Sequence, residues 1–286
     1  MNKTLGDTTG DTILTLAATQ AHAAGQAKGP LCWICGGSAD SGEHKAKKSD
    51  LRAVYGTVTQ AAPLILNDGK HKNRKVGSFD ALAMKWPKSL CHACNTTRTQ
   101  PHDRAWEVMS SALRGWTPRL RPGSVVRADR IFATDTARSM LAIHLYFVKA
   151  FGCLAVEAGS AAKINVPSLS EAIAQDRSHS DIYLAIGIPM QVIPGPIVAA
   201  SDLSIYWNPR DGSPGLATWF YNVSNVCVLV AYAPDMALWA HREGLWHPRH
   251  GTNRLIVRDF AGTGDPSNSE YTRTAFRLGV PSARAE

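Results

Sequence analysis

Four cysteines arranged as two Cys-x-x-Cys pairs, Cys32-Trp33-Ile34-Cys35 and Cys91-His92-Ala93-Cys94, constrain this chain more than any other feature of its sequence. A pair with that spacing bends round a tight turn and presents both sulfurs to one ion. Two pairs therefore supply the four thiolates of a tetrahedral structural zinc site, with Cys32, Cys35, Cys91 and Cys94 as expected ligands. Gly36 and Gly37 after the first pair permit the positive φ that such a knuckle needs. The N-terminus has no basic-then-apolar leader and no run reaches 18 apolar residues, which points to a cytoplasmic protein without a membrane segment. Paired cysteines in that compartment mean metal rather than disulfide. Cys153 and Cys227 stand alone in apolar runs and are expected as buried core thiols.

Glu43-His44 follows the first pair, and Asn95 directly adjoins Cys94. Thiolates select zinc, whereas carboxylate and amide oxygens suit Mg²⁺ or Mn²⁺, so the sequence sets hard donors beside a soft site. Taken in order, Cys-x-x-Cys, Glu-His and Cys-x-x-Cys-Asn resembles the HNH or ββα-metal nucleases, and among them the endonuclease VII type, over residues 30–113. The resemblance implies a two-stranded ribbon and a following helix around a divalent ion, stapled by zinc. It further implies that Glu43 and Asn95 hold a catalytic Mg²⁺ or Mn²⁺, that His44 is the general base, and that the reaction is hydrolysis of DNA phosphodiester bonds. An imidazole, with an ordinary pKa near 6.5, suits that role at neutral pH. The chain departs from the family where Glu43 replaces the commoner aspartate and where the third histidine has no clear counterpart. His102 is the nearest position, and Pro101 disturbs the helix expected there. The long gap from Cys35 to Cys91 implies an insertion between the ribbon strands. A different class fits the same cysteines: a non-catalytic zinc ribbon that binds DNA or protein, needs no Mg²⁺, and carries Glu43 and His44 on its surface.

Charge is unevenly spread. Of 31 Lys and Arg, 18 lie between Lys28 and Arg130, against 8 of the 23 Asp and Glu, so the whole basic excess surrounds the cysteine pairs. Clustered positive charge is the footprint of a phosphate-backbone binder, with Lys45, Lys47, Lys48, Arg52 and Arg98 closest in sequence to the motif. Asp103 reads as a first-turn or packing residue, and His144, inside an apolar run, as a core histidine.

The expected fold class is α+β: a zinc-stapled ββα-metal HNH domain followed by a domain of antiparallel sheet plus helices. Residues 1–28 read as a flexible arm, 29–117 as the HNH domain, 118–132 as a linker, 133–265 as the α+β domain and 266–286 as a polar tail that frays. Helical spacing of Trp106, Met109 and Leu113 places a helix over Thr96–Leu113. Thr134–Ala158 reads as a buried helix and Ser168–Gln175 as a short one capped by Ser168 or Ser170. Short β-rich runs over Ile182–Ile188, Gln191–Ala199, Leu203–Trp207, Leu216–Val223 and Val226–Tyr232, separated by turn residues, predict a meander. This second domain is expected to recognise a target, a regulator or another copy of the chain.

Overall fold

The runs Ile182–Ile188, Leu203–Trp207, Leu216–Val223 and Val226–Tyr232 hold strands and Thr134–Ala158 a helix, while most of Gln191–Ala199 lies outside the described residues. The computed structural model describes residues 29–68, 72–159, 162–189, 197–208, 210–234, 245–251, 253–260 and 274–278, so the expected arm over 1–28 lies outside it. In chain order the elements begin with helix α1 (Lys48–Tyr55) and strands β1 (Leu64–Asp68) and β2 (Arg74–Val76). A π-helical turn (Ala93–Arg98) leads into α2 (Gln100–Arg114), then β3 (Val125–Arg127) and the single-turn α3 (Ala128–Ile131). The long α4 (Thr136–Ala158) and short α5 (Val166–Ala174) precede β4 (Ile182–Ile188), β5 (Val198–Ala200), β6 (Ser204–Trp207), β7 (Pro214–Val223) and β8 (Val226–Tyr232). The chain closes with β9 (Arg254–Ile256), β10 (Arg258–Asp259) and β11 (Thr274–Leu278).

The architecture is α+β. One sheet runs β10-β4-β8-β7-β5-β11-β1-β2, with β6 paired to β7; β3 and β9 form a separate pair. All pairings are antiparallel except β10 with β4. Strand alternation decides which side chains meet the helices. Ala217, Trp219, Tyr221 and Val223 of β7, with Val226, Val228, Val230 and Tyr232 of β8, enter the main core. The intervening Phe220, Cys227 and Leu229 turn to the opposite face, where Phe260 covers them.

Helix α4 explains the depth of that core. Asp135 caps it by accepting the Arg138 N–H at 3.2 Å, and its side chains are apolar almost all round, the pattern of a helix enclosed by protein. By length and composition it is long enough to cross a membrane, but 78% of its apolar window is buried inside the fold. Trp106 of α2 lies against α4, stacked on Tyr146 at 5.7 Å and edge-on to Phe147 at 4.8 Å. The main hydrophobic cluster runs from Cys32 through α2 and α4 to Val257.

Several boundaries differ from expectation. Residues 118–132, expected as a linker, hold β3 and α3, with Leu120, Val126 and Ala128 buried. Arg74–Val76 forms β2, a strand that no run named above placed. Within the expected frayed tail, 274–278 is β11, paired to both β1 and β5. The α5 cap is Asn165, whose Oδ1 accepts the Ser168 N–H at 3.2 Å.

Polar clusters inside the fold include one on Asp50 and one of histidines. Asp50 of α1 is 1% exposed and accepts from Trp106 Nε1 (2.9 Å), Ser110 Oγ (2.6 Å), Arg114 Nη1 (2.6 Å) and Tyr221 OH (3.0 Å). It thereby ties α1 to α2 and β7. The second cluster joins His144, His179 and His247. His144 Nε2 accepts the His179 N–H; His179 Nδ1 accepts the Asp181 N–H, so its Nε2 donates to Ser168 Oγ. His247 Nε2 donates to the His179 carbonyl while its Nδ1 accepts the Arg249 N–H. Each ring therefore has an acceptor nitrogen fixed by a backbone N–H and is neutral.

Asp50→Ala strands four donors, one of them charged, and is expected to lower the unfolding free energy by about 3–5 kcal/mol, measured by urea titration. The histidines give a pH dependence of known sign. Burial is the largest effect lowering the pKa of His144, His179 and His247 from 6.5. The unfolded chain then binds more protons below that value, so their contribution is intact above about pH 6.5 and is lost as pH falls toward the folded pKa. Urea midpoints at pH 7.5 and 5.5 should show the fall, and His144→Gln should reduce it; equal midpoints would refute the assignment.

Candidate functional site

The knuckle turn is built as its residues dictate. Cys32 N–H donates to the Gly37 carbonyl at 2.7 Å, Gly36 N–H to the Cys32 carbonyl at 2.8 Å, and Gly36 takes φ 73°, where a side chain would be strained. The second pair opens the π-helical turn, in which Thr99 N–H reaches back to the Cys94 carbonyl at 3.2 Å. The four Sγ atoms of Cys32, Cys35, Cys91 and Cys94 lie within 4.8 Å of one another, and Cys35 and Cys91 are 3.7 Å apart. A tetrahedron with metal–sulfur bonds of about 2.3 Å has edges of about 3.8 Å, so this cluster has the dimensions of a four-thiolate metal site. Burial pushes the Cys35 and Cys94 thiols up; at Cys91 burial acts likewise, but the Cys94 N–H and neighbouring thiols outweigh it and lower the pKa.

The cluster is mounted on the C-terminal half. Trp33 packs on α4 at Gly152, where a Cβ would come within 2.5 Å of the indole, and Ser170 Oγ of α5 donates to the Ile34 carbonyl at 2.8 Å. Trp33 N–H also donates to the Ser89 carbonyl at 3.0 Å, joining the knuckle to a short ribbon. In that ribbon Ser41 and Leu90 exchange backbone bonds at 2.8 and 3.2 Å, Trp86 N–H donates to the Glu43 carbonyl at 2.8 Å, and Lys45 N–H donates to the Met84 carbonyl at 2.8 Å. The backbones approach so closely that a Cβ on Gly42 would lie 2.5 Å from the Trp86 carbonyl oxygen. The insertion expected between ribbon strands is present and holds α1, β1 and β2.

The ribbon and the π-helical turn carry Glu43, His44 and Asn95, singled out for chemistry. Asn95 Nδ2 donates to Ser41 Oγ at 2.9 Å, which fixes the amide, while its Oδ1 is buried without a partner. His44 is largely buried; its Nε2 has no hydrogen bond and lies 3.7 Å from Asp80 Oδ1. Burial lowers its pKa, opposed by Glu43 and by the Phe79 carbonyl. Glu43 is buried, and its Oε2 accepts from Lys149 Nζ at 3.0 Å.

Lys149 was not anticipated. It is fully enclosed on α4, and its ammonium also meets both oxygens of Asp103 at 2.9 and 3.1 Å. Burial works against the charge, but Glu43 and Asp103 outweigh it and raise the pKa above the usual lysine value. Its sequence signal was present: Lys149 is the sole charged residue between Arg138 and Glu157. Buried charge demands a partner, so a lone lysine in an apolar helix announces carboxylates elsewhere.

The other expected site residues are placed differently. His102 does not join His44: 3% exposed, it shares a hydrogen bond with Asp176 at 3.3 Å. The next residue, Asp103, about 100° further round α2, faces Lys149 instead. Lys47 is paired with Asp103 and Glu107, each at 3.3 Å, and Lys48 with Asp80, so neither is a free cation. Lys45 is half-buried; Arg52 and Arg98 are exposed. Compared with protein-family models, curated proteins and solved structures, the chain finds no match.

The sulfur geometry predicts one tightly bound metal ion per chain by elemental analysis. Cys94→Ser should lose the ion and lower the thermal midpoint, because such binding is coupled to folding. A folded, metal-free parent protein would remove the site.

Proposed function

We infer that the chain is a metal-dependent endonuclease in which Cys32, Cys35, Cys91 and Cys94 bind structural Zn²⁺ and Glu43, His44 and Asn95 carry out hydrolysis of DNA phosphodiesters. The observation that carries this reading is the pair of buried acceptors without partners, His44 Nε2 and Asn95 Oδ1, on a ribbon and helix that share the cysteine staple. Among the described residues nine buried side-chain atoms lack a hydrogen-bond partner, and these two are the ones whose chemistry suits a metal-bound water and a divalent ion. The donor set is chemically apt: a carboxylate and an amide oxygen are hard ligands of the kind Mg²⁺ and Mn²⁺ prefer.

In this scheme Glu43 and Asn95 hold the divalent ion, and His44 receives at Nε2 the proton of the attacking water. A bound Mg²⁺ or Mn²⁺ supplies charge stabilisation at the phosphate and the leaving oxygen. Attack forms the new P–O bond, the bond to the leaving oxygen breaks, and that oxygen takes up a proton. Ser41 holds the Asn95 amide nitrogen and so leaves the buried amide oxygen for the ion. Arg52 and Arg98 are exposed basic residues of this region that would meet phosphates, whereas Lys47 and Lys48 are already paired.

One observation favours the rival reading of a non-catalytic metal-stapled binding module: Lys149 already neutralises Glu43. Divalent metal separates the two. The protein is incubated with plasmid, linear, single-stranded and branched DNA in Mg²⁺, Mn²⁺ or EDTA. Cleavage that needs metal and survives in the parent protein supports the nuclease; binding without cleavage on every substrate supports the module. His44→Ala should keep the Cys-bound metal, fold and DNA affinity while single-turnover cleavage falls about 10²- to 10⁴-fold, the usual cost of losing a general base. Cleavage at the parent rate would displace His44 from the mechanism.

A further inference from the structure

Three charged groups from three separate elements converge in the interior beside the candidate ribbon. Lys149 Nζ of α4 sits between Glu43 Oε2 of the ribbon at 3.0 Å and the carboxylate of Asp103 on α2 at 2.9 and 3.1 Å. Lys47 Nζ closes the group from outside by pairing with Asp103 and Glu107 at 3.3 Å. Lys149 has no exposed surface, so its reach is fixed by the packing of α4, and Trp33 and Gly152 lock that same stretch of helix to the knuckle. The ammonium grips one oxygen of Glu43; the other oxygen is the one a cation would take.

We propose that Lys149 is a positioning residue for Glu43: it fixes the carboxylate through Oε2, with Asp103 as its counter-anchor, so that one oxygen is presented to a divalent ion shared with Asn95. This rests on the nuclease reading above. The ion pair is then the arm by which α4 sets the metal affinity of a ribbon more than 100 residues away in sequence. A carboxylate's hydrogen-bonded supporters ordinarily decide how well it binds metal, and losing one typically costs about 10- to 100-fold in affinity. Charge alone predicts the reverse. A cation beside a metal ligand repels Mn²⁺, so a lysine acting only through its charge would, on removal, leave tighter binding.

The test is a Mn²⁺ titration of the full-length, zinc-loaded protein followed by electron paramagnetic resonance of free Mn²⁺, with Glu43→Ala identifying the ion bound at Glu43. Lys149→Met is expected to weaken that ion about 10- to 100-fold and to raise the Mn²⁺ needed for half-maximal cleavage in step, with zinc content unchanged. Lys149→Arg keeps the charge but alters the reach, and is expected to fall between the parent and Lys149→Met; it carries the test alone if Lys149→Met fails to fold. Unchanged or tighter Mn²⁺ binding in Lys149→Met, or an unchanged Lys149→Arg where that variant stands alone, overturns the positioning role while leaving the nuclease reading intact. A parent protein that neither binds Mn²⁺ nor cleaves DNA overturns both.

Discussion

An ionised carboxylate withdrawn from water costs several kcal/mol unless its lone pairs are met by well-placed donors, and the fold is arranged so that Asp50 meets that demand. Its donors come from α2 and β7, so helix α1, part of a long insertion, is fastened to the two elements that frame the core. Tyr221 also accepts the Lys47 N–H at 2.9 Å, which ties the start of α1 to the sheet a second time. Directly before α1, residues 41–45 pair along 84–90, and Cys91 and Cys94 follow at the start of the π-helical turn, facing the knuckle. The candidate site thus adjoins a helix held by a carboxylate that belongs to neither the metal cluster nor the acid–base groups.

Local signals carried much of this architecture. Strands β4 and β8 coincide with the runs Ile182–Ile188 and Val226–Tyr232, and α4 begins within two residues of its expected start. Those segments are long, apolar and bounded by turn residues, so neighbours along the chain suffice to define them. The four cysteines were legible for a different reason: their spacing encodes a local turn, and two such turns have one economical meeting point. Glu43, His44 and Asn95 were singled out by their place beside the cysteine pairs, but their roles came only from resemblance, because nothing in their local sequence reports what lies across space.

The elements that escaped are those whose state is set by distant partners. Thr274–Leu278 has no apolar alternation strong enough to announce a strand; β1 and β5 supply its backbone partners from far upstream. Lys47 and Lys48 looked like cations awaiting phosphate, yet Asp103, Glu107 and Asp80 were close enough in the fold to claim them. His102 stood at a plausible spacing from Asn95, but helical geometry turned it to Asp176 and gave the inward direction to Asp103. In each case a residue's sequence neighbours suggested solvent or substrate, and a residue tens of positions away decided otherwise.

The place of β11 bears on how the protein is made. It lies between β5 and β1, so among the described residues the β1–β2 hairpin joins the rest of the sheet through a strand that begins 210 residues after Leu64. At a translation rate of about 5–20 residues per second, the hairpin waits roughly 10–40 s for that partner to be synthesised. Within the insertion that separates the two ribbon strands, α1 can dock once β7 is made, but the hairpin is stitched in last. Ribosome-bound chains are in that interval without a complete sheet.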